Sequence, residues 1–147
     1  MPFLPNNELV AVAWLQALDG IPAGKVATSL PKDVATFADG FLTVSIVGGS
    51  PQVYVPMRRP VVQVDTWVSS PGSSPRWGRA NDLAELVRVA TYDYADEARP
   101  MRVELPAQYD AARVHSAFLL TEPRRVEGDP ARHARYTFDL QLHWSTV

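Results

Sequence analysis

Residues 60–92, PVVQVDTWVSSPGSSPRWGRANDLAELVRVATY, decide the fold. In Val62-Gln63-Val64-Asp65-Thr66-Trp67-Val68, the set Val62, Val64, Thr66 and Val68 faces one way and Gln63, Asp65 and Trp67 the other. That period of two marks a half-buried strand. A Ser/Pro/Gly loop follows, and Ser74-Pro75 supplies a capping hydroxyl and a proline suited to a first helical turn. Ala80, Leu83, Ala84, Val87 and Ala90 then recur at helical spacing, with Asp82, Glu85 and Arg88 left for solvent. The spacing predicts a helix lying on the sheet. No residue in the stretch announces a chemistry.

Upstream, Asn6 or Asn7 caps a predicted helix from Glu8 to Leu18, ended by Asp19-Gly20 and Pro22. Leu9, Val12, Ala13 and Ala17 form one face, and Val10 and Trp14 widen the apolar surface. A helix this apolar is either sandwiched within the fold or shared with a neighbouring subunit. Lys25–Leu30 reads as a short edge strand, and Phe41–Val47 as a strand bounded by Asp39-Gly40 and Gly48-Gly49. Residues 49–60 (GSPQVYVPMRRP) form a proline-punctuated arm with an extended piece from Gln52 to Val55. It is either a surface loop or a reach onto a partner, and it carries Tyr54, Arg58 and Arg59.

Downstream, a second long arm spans residues 93–113, with Met101–Leu105 extended. Val114–Val126 and Arg132–Trp144 then form a hairpin around Glu127-Gly128-Asp129-Pro130. In its second arm Ala134, Tyr136, Phe138, Leu140, Leu142 and Trp144 alternate with His133, Arg135, Thr137, Asp139, Gln141 and His143, giving one dry and one wet face. The first arm is interrupted at Thr121–Arg125, where Pro123 cannot donate to a ladder. The expected class is α+β: one domain over residues 1–147, a mixed or antiparallel sheet and two main helices. The main elements run α-β-β-α-β-β, with short strands besides.

Composition sets the bounds. At 147 residues the chain is long enough for one core and too short for two ordinary domains. Without cysteine, neither disulfides nor thiolate chemistry is available. The N-terminus lacks a basic stretch followed by a long apolar run, so no signal peptide is expected. The longest apolar run, Leu9–Leu15, is far below the roughly 20 residues of a membrane span, so no membrane partner is expected. A net charge of −2 argues against bulk nucleic-acid binding. Lys25 and Lys32 are the only cations before Arg58, and every later one is arginine. Either base composition or a preference for arginine at protein contacts accounts for that.

A search for chemistry finds no catalytic motif. His133 and His143 share a strand face, but ten residues separate them by roughly 33 Å, too far for one metal. With His115 they read as solvent-facing, and no metal is expected. Asp65-Thr66-Trp67 departs from the Asp-Thr-Gly of aspartic proteases at its third position. Gly48-Gly49-Ser50 lacks the frame of a phosphate loop or a nucleophile elbow. Ser69, Ser70, Ser73 and Ser74 read as a flexible linker, and Asp96-Glu97 as solvated carboxylates. No catalytic, metal or cofactor residues are assigned, and no enzyme is expected. What remains is a set of anchor types common at protein interfaces: Tyr54, Arg58, Arg59, Trp67, Trp77, Arg124 and Arg125. Trp14 and Trp144 are expected in the core.

Three stretches, VVQVDTWV, RWGRANDLAELVRVAT and TEPRRVEGDPARHARYTFDLQLHW, together resemble the tail-terminator (tail-completion) proteins of long-tailed bacteriophages. The likeness lies in Val62–Trp67, Ala80–Ala84 and Arg132–Trp144, covers about residues 60–144, and is one of residue types. It implies a virion protein assembled in the host cytoplasm as a homo-oligomeric, hexameric ring on the head-proximal end of the tail tube. Such a ring stops tube growth and joins the tail to the head connector, with DNA only passing through its lumen. Its implied partners are further copies of itself, the tail tube protein and the connector or neck protein. No cofactor is implied. Another neck component, or a small enzyme assembled from scattered residues such as Asp65, His115 and an arginine, are the alternatives.

Overall fold

The computed structural model describes residues 2–69, 74–92, 100–128 and 133–147. Ser70 and Ser73, Asp96-Glu97 with the first part of the second arm, the hairpin turn at Asp129-Pro130, and Arg132 lie outside the described residues. The elements are α1 (Asn7–Ala17), β1 (Val26–Ala27), a 3-10 turn (Val34–Phe37), β2 (Phe41–Gly49), β3 (Met57–Arg58) and β4 (Pro60–Val68). They are followed by α2 (Trp77–Ala90), β5 (Met101–Val103), β6 (Ala112–Leu119), β7 (Arg124–Arg125) and β8 (Ala134–Thr146).

The strands form one mixed, eight-stranded sheet of order β1-β2-β4-β8-β6-β5, which makes this an α+β domain. The long alternating segment read from the sequence is β8, and it is the spine. On one side it pairs antiparallel with β4 from Val61↔Gln141 to Val68↔Ala134, and beyond that with β3. On the other it pairs with β6 and then β7, with the gap between them at residues 120–123, where Pro123 lies. β1 pairs parallel with β2 and is the source of the mixed character.

Both helices pack on one face. Val62, Val64 and Val68 of β4 and Phe138, Leu140, Leu142 and Trp144 of β8 join Val10, Ala11, Trp14 and Leu15 of α1 and Leu83, Ala84 and Val87 of α2 in one core. Trp14 and Trp144 are fully buried there. The small residues Ala80, Ala84 and Ala90 let α2 approach the sheet, where the Thr66 hydroxyl donates to the Ala80 carbonyl at 2.9 Å. At the foot of β2, Gly40 has φ +124 and Leu83 Cδ1 occupies the space a Cβ would need, so glycine is required twice over. At the other end of β2 a bulge follows Ile46, and Gly49 at φ +117 turns the chain away from the sheet.

Several local expectations are corrected. The N-cap of α2 is Arg76 rather than Ser74, and no side chain caps it. Instead Arg76 donates to the Ala38 carbonyl (2.8 Å) and Arg79 to that of Asp39 (3.0 Å), so the helix start is held by the loop before β2. The strand expected at Lys25–Leu30 shrinks to two residues, and Met101–Leu105 to three. Gln52–Val55 does not join the sheet, and the pairing falls on Met57–Arg58. Proline at 51 and 56 removes donors on both sides of that piece.

Candidate interaction surfaces

No helix of the described residues packs on the second face of the sheet. Cross-strand register places Thr43, Asp65 and Thr137 in one row there, and Phe41, Trp67 and Arg135 in the next. These side chains pair with one another, with Arg135 Nε left unpartnered among the described residues. Trp67 Nε1 donates to Thr43 Oγ1 at 2.9 Å, and the Arg135 guanidinium lies over the Trp67 ring, 4.7 Å from its centroid. Arg135 also reaches Asp65 Oδ2 at 3.2 Å, and the Gln63 amide donates to the same carboxylate. Asp65 is consequently only 7% exposed, although it sits on the face without helices. Trp67, expected to stand exposed, is half-buried.

Arg58 works on the opposite face. Its guanidinium lies 5.2 Å from the Trp144 ring centroid and donates to the Pro5 carbonyl (3.4 Å), while Trp144 Nε1 donates to Asn7 Oδ1 (3.0 Å). The neighbouring Asn6 accepts from Leu9 N at 2.7 Å and is the N-cap of α1. The two asparagines thus divide the labour, one starting the helix and the other tying it to the central strand. At the far edge Arg125 stacks on Trp77 (4.6 Å to the centroid) and pairs with Glu127, while Trp77 meets Tyr136 edge-on. Arg124 is exposed, opposite Thr137 in the register.

Tyr54 differs from the other anchors. It is 95% exposed, and Val53 beside it 88%. Val55 in the arm and Ile46 and Val47 at the end of β2 are exposed apolar residues as well. A second feature lies between α1 and the edge strand β5, where Leu9, Val12, Ala13, Leu105 and Pro106, together with Gln16, Arg102 and Glu104, line an open groove of about 440 Å³. The apolar flank of α1 therefore has one side in the core and the other on this groove.

The scattered residues of an enzyme-like reading are not brought together. Asp65 lies opposite Thr137, whereas His115 shares a hydrogen bond with Ser145, eight residues further along β8. The histidines are half-buried rather than solvent-facing. His133 meets Phe37 edge-on (5.0 Å) and His143 meets Phe118 (5.7 Å). Sequence reading missed the partners of Trp67 and Trp144 because it gives strand faces but not the register that sets Arg135 over one and Arg58 over the other.

Neither protein-family comparison nor comparison with curated proteins finds a match. Among solved structures, the chain is similar to one from the virion of native gene transfer agent (GTA) particle. The identity is 15% and the TM-score 0.49, over 93% of this chain and 88% of that one. At that level the likeness carries no functional weight.

Proposed function

We propose that the protein is a non-enzymatic structural component of a phage-type virion. In this reading it forms a closed ring, hexameric in its resembled family, at the head-proximal end of a tail tube. There it ends tube growth and meets the head connector. The observation that carries the reading is the arm of residues 49–60, whose Val53 and Tyr54 have almost no intramolecular contact. Exposing a valine and a tyrosine beside each other forgoes burial worth about 1.5–3 kcal/mol for each large apolar side chain. Burial of the two side chains by another chain would recover that energy, which supports the arm as a contact surface. A ring needs two different patches per subunit, one fitting the other around the circle. In this reading the arm is one of them, and the resemblance over residues 60–144 supports a tail-terminator assembly.

Native mass measurement with negative-stain imaging tests the reading, with closed rings of six as the expected result. Should the protein stay monomeric, addition to purified tail tubes decides. Tubes left uncapped and still growing would overturn the terminator role, whereas binding to the connector alone would favour a neighbouring neck component.

A further inference from the structure

The helix-free face of the sheet has a second end, remote from Trp67, where the side chains do not compensate one another. Register places Arg102 directly opposite Arg113, and Arg113 opposite Ser145. On the adjoining rung Ser116 lies opposite His143, and Arg59 follows Arg58, the partner of Trp144, so alternation brings it beside His143. A bulge between Val114 and Ser116 inserts His115 into this group, sharing a hydrogen bond with Ser145 at 2.8 Å. Ser116 shares another with His143 Nδ1 at 3.1 Å.

Like charges directly opposite on a sheet are destabilising. Yet none of Arg59, Arg102 and Arg113 forms an ion pair among the described residues. The next acid on this face of β8 is Asp139, four residues and about 13 Å from His143. Glu104, two residues from Arg102, is exposed and makes no ion pair among the described residues either. The charged groups acting on His143 are Arg59 and His115, both cationic or able to become so. Together with burial, which contributes most, they hold its pKa below the ordinary value.

We propose that this corner is a binding site for a tetrahedral oxyanion of the phosphate class, gripped by Arg59, Arg102 and Arg113, with His115 and His143 as added donors. Guanidinium forks suit the geometry of phosphate oxygens, and the serine hydroxyls can turn to donate. A bound anion offsets the Arg102–Arg113 repulsion and favours protonated imidazoles, so binding strengthens as pH falls. The site does not depend on the ring reading.

The test follows the imidazole C–H resonances of the full chain during titration with sulfate and with inorganic phosphate, against chloride at matched ionic strength. Sulfate keeps its charge across the range, so its pH dependence reports on the protein. The expected result is a saturable shift of His143 and His115. Sulfate should bind about fivefold tighter at about pH 5.5 than at about pH 7.5 for each imidazole whose pKa rises by about one unit on binding. An R102S/R113S variant, altered only at exposed positions, should bind at least about tenfold more weakly and, relieved of the repulsion, should melt no lower than the parent. A short DNA duplex displacing sulfate at lower concentration than free phosphate does would assign the phosphate to a nucleic-acid backbone. A duplex that does not displace it would assign a free anion. The proposal is overturned if chloride reproduces the shifts in the unaltered chain, a result that needs no variant to fold.

Discussion

Trp144 and Trp67 stand on opposite faces of the same sheet, each beneath an arginine, and their surroundings differ in kind. Trp144 is sealed between β8 and α1, with its N–H on Asn7 and Arg58 over its ring. Its arginine closes a core that apolar burial already makes. Trp67 has no helix above it, and Thr43, Arg135 and, through Arg135, Asp65 take the place of one. A sheet can therefore be finished in two ways, by apolar packing against helices or by polar side chains that pair with each other in the plane of the face. The first way depends on volume and the second on the pairing of charges.

Substitution by alanine should separate them. Trp144→Ala opens a cavity in the core and removes the tie to α1, for an expected loss of about 3–5 kcal/mol. Trp67→Ala removes a half-buried ring from a face that water can reach, for an expected loss of about 1–2 kcal/mol. Chemical denaturation of both variants checks the difference, and equal losses would mean that the two faces are finished alike.

The charge pairing itself is sharpened at Asp65. Asp65→Ala leaves Arg135 half-buried, with its Nε already lacking a partner, and should cost about 2 kcal/mol. Asp65→Asn keeps an acceptor for Gln63 and should cost about half as much. If both variants unfold at the denaturant concentration of the parent, the carboxylate is solvated and the pairing is decorative.

Much of this is legible in the sequence. The alternation of β8 and β4 gave the dry face because burial follows a period of two whatever the neighbours. The spacing of Ala80, Leu83, Ala84 and Val87 likewise gave the buried stripe of α2. What was not legible depends on register and on distant partners. Ser74-Pro75 looks like a helix start, but Arg76 and Arg79 find carbonyls at residues 38 and 39, and those bonds hold the start further along. Asp65 and His115 looked available for one site because sequence carries no distance between β4 and β6. Residue type alone does not separate the anchors, so Arg58, which closes the core, reads the same way in sequence as Tyr54, which touches almost nothing.

A smaller effect distinguishes the two ends of the helix-free face. Burial, then Arg59 and His115, hold the His143 pKa below its ordinary value. The unfolded chain therefore takes up that proton first as pH falls. The stability this group contributes is fully present above about pH 6.5 and is lost as pH drops towards its lowered native value. His143→Gln should flatten the stability profile below about pH 6.5 and leave it unchanged above, as measured by denaturation at matched ionic strength. An identical slope in the variant would place the proton uptake elsewhere.

The smallest expected effect on the fold belongs to the arm, and it is the one that bears most on function. Val53 and Tyr54 support neither face of the sheet, so V53S/Y54S should unfold within about 0.5 kcal/mol of the parent. Trp144 and Tyr54 are thus the two extremes of the molecule, a large aromatic that the fold cannot lose and one that it does not use. If rings form through the arm, the same double substitution removes an aromatic and an aliphatic anchor from every subunit interface, weakening each contact by about 10–100-fold. Because a ring closes only when every interface holds, rings should vanish from native mass spectra while the monomer stays fully folded. Rings that persist in the variant would move the interface to the groove between α1 and β5 or to the helix-free face, and would leave the exposure of Tyr54 without a role in self-assembly.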